Sequence, residues 1–392
     1  MFSRPLGAAS ALVAAMLGSA RLPAQSIWQS DRSVALTAEN DAFGGSSDSS
    51  YTNGIRTRWA FMSWNKRLNQ VASVLSLRGL LDKIPPEFAS DRTCSLVGGR
   101  SDRPCGFVSF SVGQTMYTPS TLFDTLPRPT ERPYAGMAFV TLGIHKPGRR
   151  ISASTELLLG VIGPSSGAEA TQSLAHWTWS TTSEKPQGWR NQLRNRAQLG
   201  IINSYAFRPP DHIAGIPFPG EFCLKGCDGA YKDGRVFDLT ATGELALGTH
   251  MRRASAGYIG RLGIGFPDAP GVDLIPTTGI DPSRVARTVW QWIEKYQPWF
   301  FVFYRQEGRH VWYNAFLEGT PADVGGGGWR DIKSISPRRN VGETTRGFSV
   351  GVSALILTYQ KVLRSTEYTT DGGRHTYGSF TVSLSTTGSA TR

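Results

Sequence analysis

Two short stretches, Leu36-Thr37-Ala38-Glu39-Asn40-Asp41 and Tyr51-Thr52-Asn53-Gly54-Ile55-Arg56, are where the fold of this chain can first be read. Apolar and polar residues alternate in both, and the alternation stops across the Gly/Ser-rich residues between them. This pattern predicts a β-hairpin with oxygen-rich side chains where the strands meet the loop. Asn40, Asp41 and Thr52 are therefore expected at one rim, either as ordinary turn residues or as part of a site.

The start of the chain predicts export. Arg4, an apolar and small-residue run, and Leu22-Pro23-Ala24 are typical of a secretory signal peptide spanning residues 1–24. Residues 25–392 contain no linker and no uncharged apolar run of about 18 residues, so they predict one exported domain without a transmembrane helix. The 44 glycines and the many Thr, Ser and aromatic residues favour β-structure.

Alternating segments recur through the exported domain, and many are near the ten or so residues that cross a bilayer at a tilt. Twelve are expected as strands: Ser33–Asn40, Thr52–Trp64, Gly106–Tyr117, Tyr134–Lys146, Arg150–Ile162, Leu199–Phe207, Arg235–Leu247, Ala254–Phe266, Trp299–Tyr313, Arg346–Ser353, Leu355–Glu367 and Thr376–Ser385. One face of such segments is polar, which suits the lumen of a membrane barrel better than the dry interior of a sandwich. We predict an all-β protein, a twelve-stranded antiparallel transmembrane β-barrel with periplasmic termini.

The net charge indicates which partners the chain could bind, and the cysteines indicate which cross-links it could form. The formal net charge of +12 in an exported chain favours an anionic surface or substrate, and no nucleic-acid motif is present. Cys94/Cys105 and Cys223/Cys227 form two close pairs, which predict two local disulfides, with a metal site as the weaker alternative. Residues 281–296 predict a short helix with Asp281 as N-cap and Pro282 in first position.

One histidine differs from the other five by its neighbours. Gln172 and His176 are four residues apart, so they share one face of a helical turn, and Glu184 follows shortly after. The predicted topology puts this connection on the rim that carries Asn40 and Asp41. A lone loop histidine is usually a surface residue, but a base, two carboxylates and amide and hydroxyl oxygens are the composition of a hydrolytic site with a hard cation.

The chain resembles the outer-membrane lipid A 3′-O-deacylases. The matching pieces recur in order over nearly the whole exported domain: Glu39-Asn40-Asp41, Tyr51-Thr52-Asn53-Gly54, Gly113-Gln114, Tyr117-Thr118-Pro119, Glu131-Arg132-Pro133-Tyr134-Ala135-Gly136, Gly163-Pro164, Gln172 through His176, Gln187-Gly188-Trp189, Gln192 and Arg364-Ser365-Thr366-Glu367-Tyr368. The connection between His176 and Glu184 is longer than the family pattern, so Glu184 is assigned by aligning Trp189.

The resemblance implies a twelve-stranded barrel that acts as a calcium-dependent esterase on the 3′-linked acyloxyacyl chain of lipid A in the outer leaflet. It implies His176 as general base, Asp41 and Glu184 as the Ca²⁺ carboxylates, and Asn40, Thr52 and Gln172 lining the same site. The chemistry is coherent, because a neutral imidazole with a pKa of about 6.5 can take a proton from water. Calcium prefers carboxylate and amide oxygens and stabilises an oxyanion. We expect a monomer whose substrate is lipopolysaccharide.

Other interpretations remain open. An outer-membrane phospholipase with a Ser–His pair is one, although no Gly-x-Ser-x-Gly motif is present. A non-catalytic channel or binding barrel is another. A set of basic residues near the predicted site could hold lipid A phosphates or core sugars, or could form a generic basic rim. These residues are Arg128, Arg132, Lys185, Arg190, Arg194 and Arg196.

Overall fold

The computed structural model of the protein describes residues 32–44, 50–62, 107–122, 124–146, 151–179, 186–209, 212–213, 216–217, 221–223, 235–264, 299–352 and 355–386. For Thr52, His176 and Cys223 only the backbone is described. Several predicted features lie outside the described residues: the signal peptide, the helix at residues 281–296, Glu184, and Cys94, Cys105 and Cys227.

Twelve long antiparallel strands form a closed barrel, as predicted. They are β1 Arg32–Asn40, β2 Ser50–Met62, β3 Phe107–Thr118, β4 Ala135–Lys146, β5 Ile151–Ile162, β6 Arg196–Phe207, β7 Arg235–Gly248, β8 Met251–Ile264, β9 Trp299–Asn314, β10 Asn340–Val352, β11 Leu355–Arg364 and β12 His375–Thr386. Each pairs with its sequence neighbours, and β12 pairs with β1 to close the barrel. A short strand, Glu221–Cys223, pairs with the start of β7, and His212–Ile213 pairs with Ile216–Pro217.

The main difference from the predicted strands concerns β10. It begins at Asn340 instead of the predicted Arg346, because Asn340 pairs with His310 and the ladder continues to Thr345 opposite Arg305. The residues added to β10 include Glu343, a charged residue that the sequence pattern assigned to a loop. Glu343 is buried because it points into the barrel and meets charged partners there.

Each strand presents an apolar face outward and a polar face inward. On β4, Thr141 and His145 are fully buried inside the barrel, whereas Leu142 between them is 55% exposed outside. Leu159, Leu262 and Ile264 are exposed outside in the same way. Such an apolar outer band is expected where hydrocarbon surrounds the protein, because no water is there to solvate polar groups.

Paired charges occupy the lumen. Glu343 accepts from Arg309 at 2.6 Å and from Arg364 at 2.9 Å, while Glu307 pairs with Arg305 and with Arg309. On the neighbouring strands β7 and β8, Asp238 lies between Arg208 at 2.7 Å and Arg261 at 2.5 Å. These charges are stable away from bulk water because each lies next to a partner of opposite sign.

We call the end of the barrel at which β1 ends the long-loop rim. Its described connections are residues 41–44, 119–134, 163–195, 249–250, 315–339 and 365–374, with gaps at 123 and 180–185. Between β9 and β10 lie the short helices α1, Ala315–Glu318, and α2, Trp329–Ile332; another helix, described below, follows β5. Within the described part of the chain, no helix is long and apolar enough to span a bilayer.

An aromatic plug fills the barrel mouth at this rim. Phe316 stacks on Tyr117 with ring centroids 4.4 Å apart, and Tyr51 meets Tyr377 at 4.8 Å. Trp329 packs into the same cluster, and its indole N–H donates to the Leu317 carbonyl at 2.8 Å. The loop between β9 and β10 therefore folds into the barrel mouth.

Candidate active site

The end of β1 forms a tight 3₁₀ turn, Asp41–Phe43. The Ala42 N–H donates to Asn40 Oδ1 at 2.8 Å and to Asp41 Oδ1 at 2.9 Å, so both residues do shape this turn. The turn folds over the outer surface of β12, where a Cβ on Gly378 would approach the Phe43 side chain to 2.6 Å. Asp41 is buried by this arrangement, while Asn40 is partly exposed.

Adjacent residues at this point face opposite sides of the wall. The buried carboxylate of Glu39 accepts from the Tyr51 hydroxyl at 2.6 Å and lies on the lumenal face with Thr37. Asn40 is one residue on, so it belongs to the outer face. The sequence resemblance included Glu39 without giving it a role; the structure shows that it anchors the aromatic plug through Tyr51.

Thr52 lies at a β-bulge. In the β2–β3 ladder Tyr51 pairs with Tyr117 and Asn53 pairs with Met116, which leaves Thr52 as the extra residue. Bulges of this kind are common beside active sites, because they redirect one residue without ending the strand. No alternation pattern in the sequence signals this feature.

The helix that follows β5, which we call α0 because it precedes α1 and α2, spans Ala168–Trp179 and carries Gln172 and His176 one turn apart, as predicted. It follows a 3₁₀ turn at Pro164–Ser166 and a left-handed Gly167 with φ of 70°. Local bonds define the start of the helix: Ser166 Oγ accepts from Ala168 N–H at 3.4 Å. Glu169 lies in the first turn, where its negative charge complements the helix dipole.

Helix α0 packs against the outside of the barrel wall. A Cβ on Gly136 of β4 would lie 2.2 Å from the Ala168 Cβ and 2.3 Å from Ser166 Oγ, so only glycine permits this approach. Gln114 of β3 donates to the Ser166 carbonyl at 2.6 Å. On β4, Gly136 is an odd number of residues from the lumenal Thr141, and on β3, Gln114 directly precedes the lumenal Thr115. Both Gly136 and Gln114 therefore lie on the outer face.

A small core lies beneath α0 on this outer face. It contains Met116, Leu122, Tyr134, Ala168 and Trp189. The Trp189 indole N–H donates to Gln172 Oε1 at 2.6 Å, and both side chains are buried. Gln172 Nε2 is also buried and makes no hydrogen bond within the described residues, so the Gln172 amide retains a donor.

Tyr134 belongs to this core and is only 5% exposed, although it lies on the outer face of the barrel. Its ring lies 5.0 Å from that of Trp189, and its hydroxyl donates to the Leu122 carbonyl at 2.9 Å. Tyr134 immediately precedes β4. It is covered because α0 and residues 186–195 fold back over the outside of the barrel wall.

The sheet register brings the predicted residues into one sector of the rim. Asn40 pairs with Asn53, Asn53 with Met116, and Met116 with Gly136. Strands are about 4.8 Å apart, so Asn40 lies roughly 10 Å from Met116, which the helix covers. The end of β1, the Thr52 bulge and α0 therefore share one outer sector, while Glu184 lies outside the described residues.

Within the described residues, no cluster of three or more His, Cys, Asp and Glu forms a metal site. The donor groups at the end of β1 are the Asp41 carboxylate and the Asn40 amide oxygen. Hard oxygen donors of this type are those Ca²⁺ prefers. The donor chemistry therefore fits the predicted cation, with the remaining predicted ligand, Glu184, outside the described part.

The predicted basic set divides into structural and exposed members. Arg132 is buried, pairs with Glu367 at 3.0 Å and lies over the Tyr117 ring at 4.8 Å, so it cannot meet a lipid phosphate. Arg194 donates to the carbonyls of Ala322, Val324 and Gly326 and thereby holds the β9–β10 loop. Arg196 is exposed.

Glu367 is held ionised by its neighbours. Burial by itself would raise the pKa of this carboxyl group, but the guanidinium groups of Arg132 and Arg364 and the nearby His375 outweigh burial. They lower the pKa of Glu367 to about 2. This ion pair fastens the β11–β12 loop to the segment that precedes β4.

The closed barrel, with its apolar outer band and polar lumen, defines the class of an outer-membrane β-barrel. A family model described as "Outer membrane protein LpxR" matches residues 8–386, and the chain belongs to this family. A comparison with curated proteins found no match.

Two solved structures are similar to this chain. LpxR from Salmonella typhimurium has a TM-score of 0.60 and 15% identity, and the match covers 90% of this chain and 99% of that one. The β-domain of the Bordetella autotransporter BrkA has a TM-score of 0.34 and 9% identity, covering 91% of this chain and 99% of the other. The Salmonella match supports the shared barrel architecture.

Proposed function

We propose that this protein is a lipid A 3′-O-deacylase, an outer-membrane esterase that hydrolyses the ester holding the 3′-linked acyloxyacyl chain. The family membership and the resemblance of the site residues support this function. The observation that carries it is the position of α0 on the outer surface of the barrel wall. A substrate in the surrounding leaflet reaches that surface directly, without entering the lumen.

In this proposal His176 removes a proton from the attacking water. A histidine does this when neutral, which favours activity above its pKa of about 6.5 in water. Gln172, one turn earlier on α0, has its carbonyl oxygen held by Trp189, so its buried N–H₂ group can donate to a substrate oxygen. Asn40 and Thr52 border the same sector.

The predicted cation would be held by Asp41 and Glu184. When bound, Ca²⁺ would supply positive charge for a developing oxyanion. The long-loop rim then faces the outer leaflet, since lipid A resides there, and both termini lie on the periplasmic side.

The filled lumen disfavours the channel alternative. The described part of the interior contains the Arg309–Glu343–Arg364 ion pairs, and Phe316 and Trp329 belong to the plug at its mouth. An open channel would require water in place of these contacts. Conductance measurements in planar bilayers separate the two functions, because the esterase is expected to show no stable pore.

A Ser–His pair does occur, but in the wrong place for a phospholipase. Ser109 Oγ and His145 Nε2 are 2.7 Å apart, and both residues are fully buried on the lumenal face. A membrane lipid cannot reach them from outside the barrel. Assays with glycerophospholipid and with lipopolysaccharide distinguish the two esterases, and hydrolysis of glycerophospholipid alone would contradict our proposal.

The proposed reaction is tested by mass spectrometry of lipid A from cells that express the wild-type protein or His176→Ala. We expect loss of the 3′-acyloxyacyl chain with the wild type and at least a hundredfold lower conversion with the variant. His310→Ala is the matched control, since His310 lies on the exposed outer face of β9 and bonds Asn340. Unchanged conversion by folded His176→Ala would exclude the catalytic role, and activity in excess chelator would exclude calcium.

A further inference from the structure

A cavity opens at the long-loop rim and shares no lining residue with the core beneath α0. It lies between the start of β6, the β7–β8 turn, the end of β9 and the loop that follows α1. Its volume is about 300 Å³, and its walls include Arg196, Arg252 and Arg330 together with Gln198, Thr249 and Tyr313. Ligand pockets start at about this size.

The cavity has an excess of positive charge. Three arginines line it, and no Asp or Glu is among its lining residues. The neighbouring loop contains three carboxylates. Asp331 is exposed and does not line the cavity, and the other two have other partners. Glu318 accepts from Arg339 at 3.1 Å and from the Asn314 N–H at 3.1 Å. Asp323 accepts from Thr320 and from the Arg194 N–H.

The guanidinium groups retain free donors. Within the described residues, the side chains of Arg196 and Arg330 make no hydrogen bond or ion pair. Arg252 donates from Nε to the Gly248 carbonyl at 3.4 Å and stacks on Tyr313 at 5.2 Å, which leaves its terminal nitrogens available. Three cations around one space repel each other, so an anion is the occupant that this cavity favours.

The cavity walls are held in place by their own hydrogen bonds. The Tyr313 hydroxyl donates to the Gly319 carbonyl at 2.7 Å, and Thr249 donates to Gln198 Oε1 at 2.7 Å. Thr320 and Asp323 form a capping box that fixes the loop beside the cavity. A preformed wall lowers the entropy cost of binding a ligand.

We propose that this cavity binds a phosphate group through Arg196, Arg252 and Arg330. Guanidinium groups match phosphate because their planar forks donate two parallel hydrogen bonds. The phosphate could belong to a lipopolysaccharide molecule or be free inorganic phosphate, and both use the same contacts. This binding does not depend on the deacylase reaction, since the cavity shares no residue with the site around α0.

The test measures phosphate binding to the detergent-folded full-length protein by isothermal titration calorimetry. The ligands are inorganic phosphate, vesicles of phosphorylated lipopolysaccharide, and the same vesicles after enzymatic dephosphorylation. We expect each of Arg196→Gln, Arg252→Gln and Arg330→Gln to weaken binding about tenfold, because each removes charge-assisted hydrogen bonds. Arg196→Lys should weaken it less, since lysine keeps the charge but loses the fork.

Arg374→Gln is the matched control, because Arg374 is exposed on another loop of the same rim and does not line the cavity. Binding of phosphorylated vesicles alone would identify the lipid as the source, and binding of inorganic phosphate as well would identify a general phosphate site. The proposal would be refuted if the wild type and all three Gln variants bound phosphate with equal affinity. It would also be refuted if the protein bound phosphorylated and dephosphorylated vesicles equally well and did not bind inorganic phosphate. A difference in gel migration between unheated and heated samples confirms that each variant is folded.

Discussion

At the scale of single residues, one step along a strand separates structural roles from candidate chemical ones. Glu39 faces the lumen and binds the Tyr51 hydroxyl, whereas Asn40, the next residue, belongs to the outer face beside α0. The alternation of a strand has a period of two, so this division follows from sequence position. Their partners do not follow from position, because Tyr51 reaches Glu39 and Asn53 pairs with Asn40 only through the register of the sheet.

The first residue-scale prediction concerns Glu367. Its pKa is lowered from an ordinary 4.5 to about 2, so its contribution to stability is complete above pH 4.5 and is lost as the pH falls toward 2. Glu367→Gln should therefore lower the free energy of unfolding by roughly 3 kcal/mol at neutral pH. The difference from the wild type should shrink on acidification. Urea unfolding in lipid vesicles at several pH values measures it, and a pH-independent difference would contradict the ionised pair.

A second prediction concerns the Trp189–Gln172 hydrogen bond. Trp189→Phe keeps an aromatic ring in the core beneath α0 but removes the donor to Gln172 Oε1. A buried acceptor without its donor costs about 1–3 kcal/mol, and Gln172 is then free to rotate. We expect about tenfold lower lipid A deacylation with a folded barrel. Wild-type turnover in Trp189→Phe would show that this bond does not position the site.

At the scale of elements, one glycine decides whether α0 can dock. Gly136 admits the helix start against β4, and neither the period of the strand nor that of the helix signals this contact. The sequence predicted the strand and a helical turn through Gln172 and His176, whereas the full length of α0 is seen only in the structure. Their packing depends on where the loop after β5 meets the outer face of the barrel, and the closed sheet determines that position.

Gly136→Ala tests this docking. The added methyl group would overlap Ala168 and Ser166, so α0 must shift away from the wall. We expect at least tenfold lower deacylation in membranes, while the barrel still forms, because displacement of catalytic groups by about 1 Å can cost a hundredfold in rate. Gly342→Ala on β10 is the control, since a Cβ there meets nothing within 4 Å. Equal losses for both variants would point to a general effect of β-strand glycines.

At the scale of the whole molecule, closure of the barrel separates two environments. The inner one contains paired charges and the outer one carries both the apolar band and the candidate active site. Glu343 links Arg309 of β9 with Arg364 of β11, so it ties three consecutive strands together inside the barrel. This network explains how a polar lumen can be stable without an open water column.

Glu343→Gln is expected to destabilise the barrel. Two buried guanidinium groups lose their shared anion, which costs about 3–5 kcal/mol. On gels of samples heated to different temperatures, the folded form of the variant should disappear at a clearly lower temperature than that of the wild type. Arg128→Gln removes the ion pairs of an exposed arginine with Asp124 and Glu131 and should change stability by less than about 1 kcal/mol. Similar melting of all three proteins would show that the lumenal network contributes little.

The sequence by itself determined the barrel, because twelve strand-like segments recur and many of them are near the length that crosses a membrane at a tilt. It also determined which short stretches could carry chemistry, since Gln172 and His176 are four residues apart, which is the spacing of one helical turn. Only the tertiary structure decided that α0 lies outside the wall, that Tyr134 and Arg132 are buried, and that three arginines surround one cavity. The physical reason is that these contacts join residues distant in sequence, and the sheet register and loop packing that bring them together leave no periodic signal.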